Sequence, residues 1–403
     1  MTVAPRLRPA RSIGLALLVL CSAAMLAAQG RGGQSGTASF PGGRMNDDGS
    51  LAPSGPVSSL FTQEAYTQYE ILEPGSDAFA ITYHIENARA GATEIVNATR
   101  VGSKGTDISV FDPRTGLPVQ FTYAQDERGQ YAIRATLPFP VPEGGIGRVL
   151  IYKTYTDPRT YQVNGDTITW VRSLSGYRLG VVLPKGYALS SSNVAAQLAT
   201  LPDGRLKLAF ANPSGQANNL TIHARKTSAA YAPHPYRDMF LDDMKTLYDL
   251  ADPAQGTYRV EQTYSDGRKG AAARLDLLDY LTLTDLIVTD LDTAKPLRVT
   301  TRGADTTVRL DVPITNDKQS AHLRVTGTGR EGYQEQNGTL TFSHVVRGLR
   351  NTILLPTGWE IAGVSQSGTI GRTREGRMFV ALVNLNAEND YRVEVRARRS
   401  GTP

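Results

Sequence analysis

Polar and apolar side chains take turns along short runs through most of this chain. Ile168 and Trp170 alternate with Thr167 and Thr169; Val308, Leu310 and Val312 alternate with Arg309 and Asp311; Val393 and Val395 alternate with Arg392, Glu394 and Arg396. A period of two places successive side chains on opposite faces of an extended strand, so one face packs while the other meets water. Turn-forming residues punctuate the runs: Asn164-Gly165, Asn337-Gly338, Asp203-Gly204, Glu375-Gly376, and Asp112-Pro113 with Gly116. Short strands, frequent turns and no alternating helices predict an all-β protein built from antiparallel β-sandwiches of immunoglobulin-like type.

The chain also matches itself. TYQVNGDTITWVRSLSGYRLGVVLPKGY, residues 160–187, aligns with GYQEQNGTLTFSHVVRGLRNTILLPTGW, residues 332–359, with a single-residue slip near Asp166. Tyr161 pairs with Tyr333, Thr167 with Thr339, Trp170 with Phe342, Gly176 with Gly348, Arg178 with Arg350, Pro184 with Pro356 and Gly186 with Gly358. Downstream, DGRLKLAFAN corresponds to EGRMFVALVN, and both copies end on a basic strand, LTIHARK and YRVEVRARR. Upstream, Asp112 falls opposite Asp290 and Pro118 opposite Pro296. The copies run from about Tyr69 to Lys226 and from about Tyr258 to Arg398, a duplication with one core expected in each. Trp170 and Phe342 share one inward position and read as core anchors.

Between the copies, residues 235–251 read as an amphipathic helix. Tyr236, Phe240, Met244, Leu247 and Tyr248 fall on one helical face, and Arg237, Asp238, Asp242, Asp243 and Lys245 on the other. Pro235 suits a first helical position, and Asp252-Pro253 ends the run. The expected organisation is a signal peptide over 1–28, a Gly/Ser/Pro-rich leader over 29–62, a first β-sandwich domain over 63–228, a linking helix over 229–256 and a second β-sandwich domain over 257–399.

The signal peptide rests on Arg6, Arg8 and Arg11, followed by an apolar run over residues 12–28 and then by polar QGRGGQSG. That run falls short of the roughly 20 residues that span a bilayer comfortably, so cleavage is expected after Ala28 or Gly30. Leu20 before Cys21 is too large for a lipoprotein site, and removal of the signal takes the only cysteine with it. Residues 30–60 are too poor in large apolar side chains to offset their ordering entropy. NDDGS at residues 46–50 lacks the spacing and distal Glu of a calcium loop. The formal charge of +5 falls to +2 without the three N-terminal arginines, too little and too mixed to attract nucleic acid. No second apolar stretch predicts a membrane span.

Catalytic patterns are absent. His84, His223, His234, His322 and His344 are isolated, with no second ligand one helical turn away as a zinc peptidase requires. GVSQSG at residues 363–368 has one residue too many between Ser365 and Gly368 for a serine-hydrolase elbow. No Ser-x-x-Lys, Walker or dinucleotide motif occurs. Paired carboxylates leave no short signature; Asp290 with Asp292 and Asp242 with Asp243 come nearest, and both pairs read as solvated turn or helix-face residues. No catalytic, cofactor-binding or metal residue is therefore assigned, and binding residues are not identified.

RVGS at Arg100, VFDPRTG at Val110, PEGG at Pro142, KTYTDP at Lys153 and VLPKGY at Val182 give the first copy a resemblance to a family of uncharacterised exported bacterial β-sandwich proteins. That family implies no activity. The phrases PLRV and VRLDVPI in the second copy are similar to the non-catalytic N-terminal β domain of aminopeptidase N-type zinc peptidases. Their metal-binding motif is not in this sequence, so the resemblance implies a related scaffold. These readings predict a non-catalytic extracytoplasmic binding or assembly protein, with an envelope protein, peptide or polysaccharide as partner, no nucleic acid and no cofactor. The alternatives are a carbohydrate- or peptide-processing enzyme whose carboxylates meet only in three dimensions, and a structural or adhesin-like spacer.

Overall fold

The computed structural model describes residues 44–45, 51–52, 62–174, 176–212, 218–229, 244–266, 272–277, 281–302, 305–384 and 391–401. The expected signal peptide and the NDDGS turn lie outside these residues. Among them the chain is β-strand throughout, with one short 3-10 turn, Pro253–Gln255. No helix among them is long and apolar enough to cross a membrane.

In the first copy, seven strands form the main sheet in the order Gln197–Thr200, Leu206–Ala211, Arg178–Val182, Thr62–Ile71, Ala78–Asn87, Gly147–Thr156 and Gly105–Phe111. A four-stranded sheet, Tyr161–Asn164, Thr167–Leu174, Asn218–Lys226 and Tyr187–Ser192, supplies a second layer, and the three strands Glu94–Ala98, Tyr131–Thr136 and Phe121–Gln125 form a smaller sheet. Alternation along the strands decides what goes inside. Phe79, Ile81, Tyr83 and Ile85 point into one buried cluster that also receives Val149, Ile151, Ile168, Trp170, Ile222, Ile133 and Ala135. Trp170 is fully buried at its centre, with the Tyr69 and Phe79 rings at 5.3 and 6.2 Å. Each such side chain contributes about 1.5 to 3 kcal/mol on burial.

The second copy repeats this plan strand for strand. Its main sheet runs Thr369–Arg372, Met378–Val383, Arg350–Leu354, Met244–Asp252, Thr257–Asp266, Ala321–Gly329, Thr284–Asp290 and Lys295–Pro296. The last pairing repeats the first copy's isolated bridge between Phe111 and Pro118, since Thr289 faces Pro296. Tyr333–Gln336, Thr339–Val346, Tyr391–Arg399 and Trp359–Val364 form the four-stranded sheet, and Ala272–Leu277, Asp305–Ile314 and Val299–Arg302 the three-stranded one. Even an irregularity recurs: the register shifts between Leu189 and Ser191, and again between Ile361 and Gly363. The slip near Asp166 does not alter pairing, because Asn164 faces Thr167 and Gln336 faces Thr339 across two-residue turns. Phe342 stands where Trp170 does, fully buried against Tyr248 and Tyr258.

The linking helix is not formed. Met244–Asp252 is a strand, antiparallel to Thr257–Asp266 on one side and parallel to Arg350–Leu354 on the other; the earlier part, residues 235–243, lies outside the described residues. The misreading has a physical source. A strand in the middle of a sheet can be buried on both faces, so clean alternation disappears. Tyr248 and Leu250 enter the second core, while Leu247 faces the opposite way and is buried too, and the resulting run mimics a helical stripe. The second copy consequently begins by Met244, within the expected linker, and Met244–Asp252 is the counterpart of Thr62–Ile71, which pairs in the same parallel fashion with Arg178–Val182.

The two large cores stay separate, each drawn from one copy. They are joined by a small cluster in which Leu349 of the second copy, fully buried, packs against Tyr66 and Ala209 of the first. Arg350 lies 4.5 Å from the centroid of the Tyr177 ring.

Candidate functional site

The outer face of the first copy's main sheet, turned away from its core, is polar over most of its width. Cross-strand register places Tyr66 beside His84 and then Leu150, and Gln68 beside Thr82 and then Tyr152, while Glu86 faces Arg148. Gly180, beside Gln68, lacks the Cβ that would come within 2.6 Å of the Tyr66 hydroxyl and 3.0 Å of Lys207 Cε. The space it leaves admits a hydrogen-bonded chain. Lys207 Nζ donates to the Tyr66 hydroxyl oxygen (2.8 Å) and to Gln68 Oε1 (2.7 Å), Gln68 Nε2 donates to Glu70 Oε1 (3.2 Å), and Arg205 Nη1 donates to Glu70 Oε2 (2.9 Å). Lys207 is thereby accommodated at 4 % exposure, which an ammonium tolerates only with such acceptors.

The second copy roofs part of this face through residues 313–320. Gln319 organises the roof: its Oε1 accepts from the Thr315 amide and hydroxyl and from Asn316 Nδ2, while its Nε2 donates to Pro313 O and, across the interface, to Arg114 O (3.2 Å). The Ser320 amide donates to Pro113 O (2.8 Å), and Lys318 Nζ sits 4.0 Å over the Phe111 ring. Gly116 has no room for a side chain, since a Cβ would lie 2.7 Å from Asn316 Nδ2. Between roof and sheet is a cleft of about 280 Å³, lined among others by Tyr66, Thr82, His84, Glu86, Tyr152 and Arg178.

One ion pair locks the cleft's inner end. Arg148 Nε and Nη2 each reach a carboxylate oxygen of Asp292 at 2.6 Å, and Nη1 and Nη2 also donate to Ser320 Oγ and O at 2.9 Å. Asp290 places Asp292 by accepting its backbone N–H (2.8 Å), as Asp112 accepts that of Arg114 (2.9 Å) in the first copy. Arg114 Nε is in turn 3.8 Å from Asp290 Oδ2. The duplicated turns, DPRTG and DLDTA, thus meet at the interface.

Burial pushes Asp292 up to about 6; Arg148 opposes this, and the neighbouring charges of Asp290 and Asp112 reinforce it. Burial also works against the charge on Arg148, but Asp292, Glu86 and Asp112 outweigh it and hold the guanidinium pKa above its ordinary value. The pair therefore benefits the cation more than the anion, because Asp292 shares its surroundings with two further carboxylates. His84 is held down to about 3, first by burial and then by Arg178, Arg148 and Lys207. His322, 3 % exposed and 3.8 Å from Glu86, is lowered well below its usual value by burial and by Arg148, Lys245 and Arg178. Both imidazoles are neutral at physiological pH. Burial raises Tyr152, with Asp317 and Glu70 adding to the shift, so its phenol keeps its proton.

Two histidines that the sequence left isolated, His84 and His322, thus lie in the field of the same arginine, Arg148. His223 bonds Thr169 across strands (3.0 Å), His344 bonds the Val345 carbonyl (2.7 Å), and His234 lies outside the described residues. Asp290 and Asp292 are not solvated: at 9 % and 6 % exposure they are buried, because a partner strand far away in sequence covers them. Asp242 and Asp243 lie outside the described residues. In GVSQSG, Ser365 bonds the backbone of Glu394 in both directions and shapes a turn. Among the described residues no group of three or more His, Cys, Asp or Glu could hold a metal ion. Sequence reasoning named none of the cleft residues. A signal was nevertheless present in the self-alignment, which sets Lys207 opposite Phe379.

No family model matches the chain, and no curated protein matches it. Among solved structures, the M1 zinc metallopeptidase from Deinococcus radiodurans is 11 % identical over 50 % of this chain and 47 % of its own, with a TM-score of 0.30. A mutant of that enzyme bound to a Tyr-Ser-Ala substrate is 13 % identical over 46 % and 44 %, with a TM-score of 0.29. Another mutant, bound to L-arginine, is 14 % identical over 46 % and 44 %, with a TM-score of 0.28. The similarity to these M1 metallopeptidases is weak, and this chain spans less than half of their length. It assigns neither activity nor metal.

Proposed function

We propose that this protein is an exported, non-catalytic binding or assembly protein of the bacterial cell envelope, related to the uncharacterised exported family its first copy resembles, and that the cleft between the copies is its ligand seat. The observation that carries the reading is the cleft itself: a polar sheet face, preorganised by hydrogen bonds among its own residues and roofed by the second copy. Concave sites with a few fixed polar groups are where small ligands bind. Duplication supplies such a site at little structural cost, since neither copy has to open its own core.

The test is a binding survey with the exported chain and separated envelope fractions, read by thermal shift and repeated with Thr82→Trp, which plugs the cleft. Saturable stabilisation by one fraction, lost in the plugged variant, supports the reading. Stabilisation that survives the plug overturns the cleft as the seat. The second reading, a carbohydrate- or peptide-processing enzyme, is favoured by one observation: Glu70, Glu86 and Asp317 line the same cleft. Turnover of an envelope polymer that Glu86→Gln abolishes would establish it instead. N-terminal sequencing of the protein recovered from outside the cytoplasm tests export and the cut after Ala28 or Gly30.

A further inference from the structure

Resting on that reading, we propose that the cleft binds one uncharged sugar unit of an envelope polysaccharide. Charge is the first argument. The lining holds three carboxylates, Glu70, Glu86 and Asp317, and three cations, Arg148, Arg178 and Lys318. Several of these are already engaged: Arg148 by Asp292 and Ser320, Glu70 by Arg205 and Gln68, and Lys318 by the Phe111 ring. An ionic ligand of either sign would meet groups of its own sign and would have to break existing pairs. A neutral molecule that both donates and accepts hydrogen bonds meets no such opposition.

Geometry is the second argument. The Tyr66 and His84 rings lie edge to face, with centroids 5.6 Å apart, and Tyr152 stands beyond Thr82 on the same face of the sheet. A pyranose has an apolar C–H face that packs on tyrosine rings and an equator of hydroxyls, each both donor and acceptor. Thr82, Ser265 and Tyr152 are hydroxyls of the same dual kind, the carboxylates accept, and a neutral imidazole at His84 does both. Size is the third argument. At about 280 Å³ the cleft lies just under the roughly 300 Å³ at which sites for drug-sized ligands begin. One ring, with its neighbours in the polymer running out through the open side, is what fits.

The experiment is calorimetric titration of the full exported chain with short oligomers of glucose, galactose, mannose and N-acetylglucosamine, alongside a uronic-acid oligomer and a mixed peptide pool. The variants are Thr82→Trp, which fills the cleft, and Tyr152→Phe, which removes one hydroxyl and keeps the ring. Circular dichroism and the fluorescence of Trp359 check that each variant is folded. The expected result is saturable binding of one neutral oligomer, weakened at least tenfold by Thr82→Trp and severalfold by Tyr152→Phe. Binding of only the uronic-acid oligomer or a peptide, blocked by Thr82→Trp, overturns the sugar assignment and leaves the cleft as a ligand seat. No binding at all, or binding that both variants leave unchanged, overturns the seat as well.

Discussion

The two copies share every strand and differ in where they put charge. On the outer face of the main sheet the first copy carries Gln68 and Lys207, and the second carries Leu247 and Phe379 at the matching positions. The former join a hydrogen-bonded chain; the latter form a buried apolar cluster with Leu354. The same contrast runs inside. The first core holds Lys153, whose Nζ donates to Asn97 Oδ1 (2.5 Å) between the Tyr83 and Tyr155 rings, and Arg172, whose guanidinium lies 5.1 Å from both Tyr69 and Phe79. Burial lowers the Arg172 pKa, but Tyr69, Tyr83 and Tyr155 more than offset it. In the second core Gly327 and His344 occupy the matching positions, and Gly329 stands in for Tyr155, so that the Tyr258 ring fills the room a Cβ would need. A duplicated scaffold fixes hydrogen-bond register and core shape but leaves side-chain charge free to diverge. One copy has become the polar wall and the other the packed support.

This contrast can be broken at several points. Phe379→Lys, which gives the second copy the first copy's cation without its acceptors, is expected to cost the most, about 3 to 5 kcal/mol by urea unfolding, since an ammonium would be buried unpaired. Arg148→Met should fall at the lower end of that range, about 3 kcal/mol, by stranding Asp292. The two tryptophans, Trp170 and Trp359, stand one in each copy. Single-tryptophan variants can therefore report whether both copies lose stability together, as a shared interface requires, or only one does. Leu349→Ala should cost about 2 kcal/mol, and independence of the two tryptophan signals afterwards would identify the Leu349 cluster as the joint. Lys207→Phe, the reverse exchange, should cost only about 1 kcal/mol, because it forfeits hydrogen bonds yet keeps an apolar body over Gly180.

The smallest effect concerns acidity. Asp292, raised to about 6, takes up a proton in the folded chain at a pH where the unfolded chain does not. Stability from this group is accordingly lower above about 6 and rises as the pH falls from there toward the ordinary carboxylate range. Asp292→Asn should remove that rise, so the difference in Tm between the native chain and the variant should change with pH across this window. A constant difference would show that Asp292 stays ionised throughout.

Most of the strand plan was legible, because alternation and turn residues are local properties. The repeat was legible too, and its pairing of Asp112 with Asp290 and Pro118 with Pro296 matches the strand registers. Two things were not. The first strand of the second copy is buried on both faces and lost the alternation that marks a strand. The cleft depends on encounters such as Arg148 with Asp292, 144 residues apart, and polarity along the chain gives no sign of which polar turn will be covered by another. Asp290 and Asp292 read as solvated for that reason.

The parallel pairing of Thr62–Ile71 with Arg178–Val182, repeated by Met244–Asp252 with Arg350–Leu354, has a kinetic corollary. In each half the earliest strand occupies the middle of the sheet and must wait for a partner more than 100 residues downstream before its second edge is satisfied. Such long-range closure is slow. While it is pending, Tyr69 and Ile71, or Tyr248 and Leu250, stand on an open edge, and this interval gives a chaperone its window to hold the nascent chain.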